Sequence, residues 1–424
     1  MNSDAHTKRL SVSLGGNKVG ELGQAPKGGI FFEYDKGWLE SGFPLTKMHL
    51  KFEPGLQSGG EREFFGLHGV FNDSLPDGWG MLLMDKAFRA SRGWSREFIT
   101  GLDRLAFIGN RGMGALEYAP MSAEAPVESA LDLSQLARAA DRVDSGHDVD
   151  VLRTLTLHGG SGGGARPKVT LARNVVDGRC MSGFEELQPG YEHWMVKFRH
   201  HGEPIDTGRA ERAYAQMALA AGIHVPQVDL IPVNVDGQPE AYFASKRFDR
   251  EGNRKIHMLS VSGLLHASHR TPSVDYEGIL GSTRLLTHSQ VEVTKMFRHM
   301  VFNVVTYNRD DHTKNFAFLC QDGVWKVSPA YDLSMSPNAG MFFHHMAAVA
   351  GESSNPTLKH VLEVANIFDI DDARGIVAEV VEAASRWRAH ASAFDVSEQL
   401  TDDIAERIEE MIDFIKPASK PRPR

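Results

Sequence analysis

Asn308-Arg309-Asp310-Asp311-His312-Thr313-Lys314-Asn315, followed by Ser328-Pro329-Ala330-Tyr331-Asp332-Leu333, decides how this chain reads. Upstream, Val293, Met296, Phe297, Met300, Val301, Val304 and Val305 recur at three- and four-residue spacing, so a helix over about Ser289 to Tyr307 delivers the chain to Asn308. Downstream, Phe316-Ala317-Phe318-Leu319-Cys320 reads as a strand, Gln321-Asp322-Gly323 as a turn, and Val324 to Ser328 as the returning strand. That hairpin brings Asp332 back to the mouth of the loop that carries Asp310 and Asn315.

Phosphoryl transfer needs a group that orients or accepts the proton of the attacking hydroxyl, and oxygen ligands that hold Mg²⁺ on the phosphates of ATP. Asp310 is the candidate base, and Asn315 and Asp332 are the candidate metal ligands. Each alone is a common turn residue; the joint order of helix, carboxylate, asparagine, hairpin and carboxylate carries the reading. His312 is expected to brace the loop on the ATP side by hydrogen bonding. Asp311 receives no role.

Lys197 sits in the alternation His193-Trp194-Met195-Val196-Lys197-Phe198, which places it on one face of a strand otherwise expected to be buried. A lysine there requires an anion. The ATP phosphates would serve, with Glu211 on the following helix as a supporting carboxylate. Gly159-Gly160-Ser161-Gly162-Gly163-Gly164-Ala165-Arg166-Pro167-Lys168 lacks the Gly-Lys-Ser/Thr of a Walker loop, and no strand precedes it as a dinucleotide fingerprint demands. It remains either a flexible loop whose backbone N–H groups of Ser161, Gly162, Gly163 and Gly164 approach phosphates, or a plain connector. Lys246-Arg247-Phe248 would lie at a junction where backbone groups meet adenine, while Arg247 and Asp249 could equally pair with each other. Adjacent histidines at His200-His201 and His344-His345 point to opposite faces of a strand and make no zinc site.

A length of 424 residues allows two or three compact units, and 42% hydrophobic with 24% charged residues is ordinary for globular proteins. A net charge of −9 argues against a dedicated nucleic-acid surface. Cys180 and Cys320, without CxxC spacing, fit two free buried thiols in a reducing compartment. The polar N-terminus has no signal-like apolar core, and no stretch nears the roughly 18 apolar residues of a membrane span. A cytoplasmic protein without a membrane association is expected.

The fold class expected is α+β, in four parts. Residues 1–120 form a small β-rich and helical N-terminal subdomain, with strands at Arg9–Leu14 and Ile30–Tyr34. It continues into a helix capped by Ser74 and Asp77 and closed near Gly93, then a second helix from Ser95 to about Leu105. Ala119 to Ala130 is a Pro/Ser/Glu-rich connection. Residues 131–250 form an ATP-binding region with helices at Leu133–Val143 and Ala210–Ala221, and strands at Lys168–Ala172, His193–Phe198, Val228–Val233 and Ala241–Ala244. Residues 251–415 form a mainly helical catalytic lobe, and 416–424 a disordered tail.

Taken together, Phe71-Asn72-Asp73-Ser74-Leu75-Pro76-Asp77-Gly78-Trp79-Gly80, the glycine-rich loop, Lys246-Arg247-Phe248-Asp249-Arg250, Asn308 to Asn315 and Pro329-Ala330-Tyr331-Asp332 resemble the HipA family of serine/threonine kinase toxins of type II toxin–antitoxin systems. The resemblance covers most of the chain and implies a bilobal protein-kinase-like fold. It implies Asp310 as catalytic aspartate, Asn315 and Asp332 on Mg²⁺, Lys197 on ATP, and Lys246 to Phe248 as the adenine hinge. It also implies autophosphorylation of Ser161, which adds roughly −1.5 to −2 charge and ejects the loop. Implied partners are a small helix-turn-helix antitoxin, DNA indirectly through it, and a protein substrate such as an aminoacyl-tRNA synthetase. Three glycines after Ser161, and Lys246 where an acidic residue is common, depart from the family pattern. A small-molecule or lipid kinase, or a non-catalytic pseudokinase co-repressor, are the competing readings, since the Asp-Asn-Asp order does not encode the acceptor.

Overall fold

The computed structural model describes residues 6–26, 28–60, 64–122, 131–147, 153–159, 164–184, 186–336 and 344–416. The chain divides into two units. The first comprises residues 1–208, 227–266 and 318–325, and the second 209–226, 267–317 and 326–424.

Short alternating strands build the first unit. Arg9–Leu14 pairs with Asn17–Gln24 and Leu116–Ala119, and Ile30–Tyr34 joins Asn17–Gln24 to Gln57–Ser58, giving a five-stranded antiparallel sheet. A second five-stranded sheet runs Cys180–Met181, Lys168–Asn174, Tyr191–Lys197, Gln238–Lys246, Val228–Val235, again antiparallel throughout. Period-two alternation sends Val169, Leu171, Trp194, Val196 and Ala244 into one apolar core with Trp79, Leu83, Leu136, Ala140 and Leu155 from the helices Gly78–Arg92, Leu133–Asp144 and Arg153–Gly159. The opposite face of the sheet therefore carries Met195 and Lys197.

The second unit is helical. Gln290–Val305, capped by Ser289, buries Val293, Met296, Phe297, Met300, Val301, Phe302, Val304 and Val305. That set is too wide for one stripe, as befits a helix packed on several sides by Tyr276–Thr287, Ala373–Ser385 and Glu398–Ile415.

Local patterns misplace two helix starts. The helix ending at Gly93 begins at Gly78 with Asp77 as its N-cap, because the Ser74 hydroxyl is taken up by the Tyr118 hydroxyl at 2.7 Å inside the core. Arg96–Phe98 is a single 3₁₀ turn, and the true helix is Gly101–Ile108, where Thr100 and Asp103 form a capping box. His257–Ser260 adds a strand to the Ala317–Gln321 and Val324–Val327 hairpin in a stretch read as helical. Both thiols are free, but Cys180 is partly exposed; only Cys320 is buried. The tail beyond 416 lies outside the described residues.

Candidate active site

The segment Asn308–Asn315 leaves the Gln290–Val305 helix through a left-handed residue, Tyr307 at φ +56°. The Asn308 N–H still donates to Asn303 O at 2.9 Å. The loop then closes on itself. Thr313–Asn315 is a 3₁₀ turn, the Asn315 N–H donates to His312 O at 2.9 Å, and Asn315 Nδ2 donates to Asp310 O at 2.7 Å. The Asn315 amide nitrogen is thereby committed to the loop backbone. The Asp310 side chain is 50% exposed, and His312 Nε2 stands 4.0 Å from Asp310 Oδ1, beyond hydrogen-bond reach. His312 joins the brace through its carbonyl.

Asp332 is held against the same loop. It adopts φ +53°, which costs on the order of 1 kcal/mol and which aspartate tolerates better than most residues. Its neighbour Tyr331 donates its hydroxyl to Lys314 O at 2.5 Å, Asn308 Nδ2 reaches Asp332 O at 3.5 Å, and the Ser336 N–H donates to Tyr307 O at 3.3 Å. The hairpin return expected from sequence thus brings Asp310, Asn315 and Asp332 onto one hydrogen-bonded frame. A carboxylate, as at Asp332, and an amide oxygen, as at Asn315, are hard ligands of the kind Mg²⁺ takes. Among the described residues, no cluster of three or more His, Cys, Asp or Glu side chains is arranged to hold a metal.

Asp311, to which the sequence assigned nothing, anchors this frame. Its side chain is fully buried and accepts from Tyr276 Oη at 2.7 Å, His345 Nδ1 at 2.7 Å, Met346 N at 2.7 Å and Ala347 N at 3.3 Å. Tyr276 Oη also accepts from Asn303 Nδ2 at 3.0 Å, and Asn303 Oδ1 accepts from Asn308 Nδ2 at 3.0 Å. Burial first, and then the Asp311 charge, push the Tyr276 hydroxyl well above its ordinary pKa. It therefore stays a proton donor. Arg309 points elsewhere, stacked 3.9 Å over the Tyr307 ring and donating to Ser354 O at 2.7 Å. Of the doublet Asp310-Asp311, one residue faces out and the next is buried; adjacency in a tight loop was the available signal.

In the first unit, Lys197 lies opposite both Lys168 and Phe243 in its sheet, with Nζ 5.4 Å from the Phe243 ring centroid. Lys168 is buried. Glu211, also buried, belongs to the helix Thr207–Ala220 and to the second unit. Ser161, Gly162 and Gly163 lie outside the described residues; Gly164 is placed at φ +87°. At Lys246–Phe248, the Lys246 N–H donates to Gln227 O and the Arg247 N–H to His193 O, while Lys246 Nζ pairs with Glu192 at 2.5 Å. The Arg247 side chain does pair with Asp249, at 3.0 and 2.7 Å, and Arg250 joins at 2.8 Å. Burial alone would raise the Asp249 pKa, yet the two guanidiniums hold it far below the carboxylate range. Burial and the same arginines push His193 down to about 3. His200 and His201 both turn to the Leu133–Asp144 helix, pairing with Asp144 and Asp141.

The family profile described as HipA-like C-terminal domain matches residues 160–388, and that described as HipA N-terminal domain matches residues 10–119. The chain belongs to the HipA family. Putative kinase Y4mE of Sinorhizobium fredii is 28% identical over 349 residues, covering 76% of each chain. A serine/threonine-protein kinase toxin HipA of Shewanella oneidensis is 23% identical over 394 residues, 87% of this chain and 84% of that one. Among solved structures, the Shewanella oneidensis toxin–antitoxin complex of HipA, HipB and operator DNA contains a chain of the same fold, with a TM-score of 0.70 at 17% identity over 96% of this chain and 98% of that one. The kinase-like α+β fold expected from the sequence is thereby established.

Proposed function

We propose that this HipA-family chain is an ATP- and Mg²⁺-dependent protein kinase acting on Ser/Thr hydroxyls. The observation that carries the reading is the shared frame of Asp310, Asn315 and Asp332, pinned by Asn315 Nδ2 to Asp310 O and by Tyr331 Oη to Lys314 O. Asp310, half exposed at its side chain, orients the acceptor hydroxyl and takes its proton. Asn315 Oδ1 and the Asp332 carboxylate hold Mg²⁺, which when bound neutralises charge on the phosphates. By family resemblance Lys197 takes the α/β-phosphates, and the backbone of Lys246 to Phe248 takes adenine.

The relatives named as kinases and as a kinase toxin support this reading, and the solved HipA–HipB–DNA complex supports a small helix-turn-helix antitoxin as partner, with DNA reached through it. A net charge of −9 is consistent with such indirect contact. By family resemblance the substrate is a translation component such as an aminoacyl-tRNA synthetase, Ser161 is the self-inactivating phosphorylation site, and the protein works in the cytoplasm. Among the described residues no helix is long and apolar enough to cross a membrane.

Purified protein incubated with labelled ATP and Mg²⁺ is expected to label Ser161, and Asp310→Asn and Ser161→Ala to remove that label. Mass spectrometry of the starting material excludes prior occupancy of Ser161. A wild type that labels neither itself nor any protein of a cell extract overturns the proposal.

A further inference from the structure

Tyr307 stands at φ +56°, in the left-handed region that a bulky side chain adopts only when its surroundings compel it. Through this residue the chain leaves the helix Gln290–Val305 and enters the loop of Asp310. Its ring is buried, with the Arg309 guanidinium over it at 3.9 Å and a second guanidinium, from Arg407 of the last helix Glu398–Ile415, at 5.6 Å. A cation held over an aromatic ring is attracted more strongly as water is excluded. Glu410 pairs with Arg407 at 3.2 Å and offsets part of the repulsion between the two arginines.

Arg309 does more than cover the ring. Its Nη2 donates to Ser354 O at 2.7 Å and approaches Asn355 Oδ1 at 3.4 Å. Its own carbonyl accepts from the Met346 N–H at 3.3 Å, the amide that also donates to Asp311 Oδ1 at 2.7 Å. Residues 345–354 form one turn, closed by the His345 N–H on Ser353 O at 2.8 Å and by the bridge between Val349 and Glu352. Asp310 thus stands between two neighbours tied to the same turn, Asp311 by its carboxylate and Arg309 by its guanidinium and carbonyl. A guanidinium can stack on a ring and donate along its edge at the same time, which an ammonium cannot.

We propose that Arg309 and Tyr307 are positioning residues for Asp310: the guanidinium clamps the Tyr307 ring to the backbone at Ser354, holds Tyr307 in its left-handed conformation, and so fixes the direction in which the loop presents the Asp310 carboxylate. This rests on the kinase reading. A clamp on orientation is read in turnover and not in nucleotide affinity.

The test uses the full chain and follows transfer of labelled phosphate from ATP, to the protein itself or to proteins of a cell extract, over a range of ATP concentrations. Hydrogen exchange at the Met346 amide is read beside it. Arg309→Ala is expected to lower the maximal rate about tenfold, to leave half-saturating ATP within about twofold, and to speed the exchange about tenfold. Tyr307→Leu, which deletes the ring face, does the same, and the double variant is no slower than the slower single because both break one contact. Tyr307→Gly, which suits φ +56° but has no ring, is equally slow, whereas Tyr307→Phe keeps the ring face and restores both readouts. Arg388→Ala, which removes an exposed pair with Asp402 of the last helix, changes neither. If Arg309→Ala fails to fold, Tyr307→Leu carries the test. A wild-type maximal rate in folded Arg309→Ala or in Tyr307→Gly overturns the proposal, as does a loss carried by half-saturating ATP instead. A wild type that transfers no phosphate sinks the kinase reading, and exchange at Met346 still decides whether Arg309 holds the loop.

Discussion

Two buried aspartates, one in each unit, solve the same problem in opposite ways. Asp249 is surrounded by Arg247 and Arg250 and by the Gly114 N–H, whereas Asp311 takes its bonds from a tyrosine hydroxyl, a histidine and two backbone amides. The first is a charge cluster that survives only if every member stays. The second draws on a hydroxyl, an imidazole and two backbone amides converging on one carboxylate, with no guanidinium among them. Structural stability therefore hangs more heavily on Asp249, and the geometry of the candidate active site on Asp311.

The sharpest way to break this contrast is Asp249→Asn, which leaves two guanidiniums facing each other in the interior. It is expected to cost about 3–5 kcal/mol, read by denaturant midpoint and slope. A loss below that of Asp311→Asn would reverse the ranking.

Acid should separate the two units next. Burial pushes His68 and His257 down to about 4 and His193 to about 3 in the first unit, and His299 to about 4 in the second. Each is held neutral when folded and protonates when unfolded, so its stabilising contribution is complete above the usual histidine value near 6.5 and falls as pH drops toward the folded value. By pH 5, His68 and His257 should each have lost roughly 1–2 kcal/mol. Asp249 adds to the same trend at lower pH, since its depressed carboxylate stabilises above about pH 4 and less below it. Hydrogen exchange at pH 7 and pH 5 is expected to show a larger gain in opening for the first unit than for the second.

Asp311→Asn should cost about 1–3 kcal/mol, because an amide cannot accept from all four donors. Under the kinase reading it should also lower kcat at least about tenfold through misplacement of Asp310 and Asn315. Tyr276→Phe is the mildest perturbation. It deletes one donor to Asp311 and should cost about 1 kcal/mol, with Asp310 chemistry reduced only a few-fold.

How legible each feature was follows sequence distance. Asp310, Asn315 and Asp332 lie on one loop and one hairpin return, so spacing alone brought them together, and the long amphipathic helix before them was readable from its period. The role of Asp311 was hidden because its partners lie at Tyr276 and at His345–Ala347, joined only by tertiary packing. Ser74-x-x-Asp77 looked like a capping box because the local pattern is identical whether or not Tyr118 claims the serine, and Asp77 looked like an ordinary cap because nothing nearby announces that it accepts from the Gly164 N–H. The pairing of Arg247 with Asp249 was visible at two residues' separation, while its enclosure by Gly112 and Gly114 was not.

The cradle of Asp311 also sets a clock. Its donors come from 35 residues upstream and from 34 to 36 residues downstream. A growing chain therefore presents Asp310 and Asn315 well before the segment that steadies them has left the ribosome. Domains form largely in the order of synthesis. The nascent protein consequently carries the Asn308–Asn315 loop with Tyr276 available to Asp311 but without the His345, Met346 and Ala347 donors until residue 347 is made, so the full brace comes only with later synthesis.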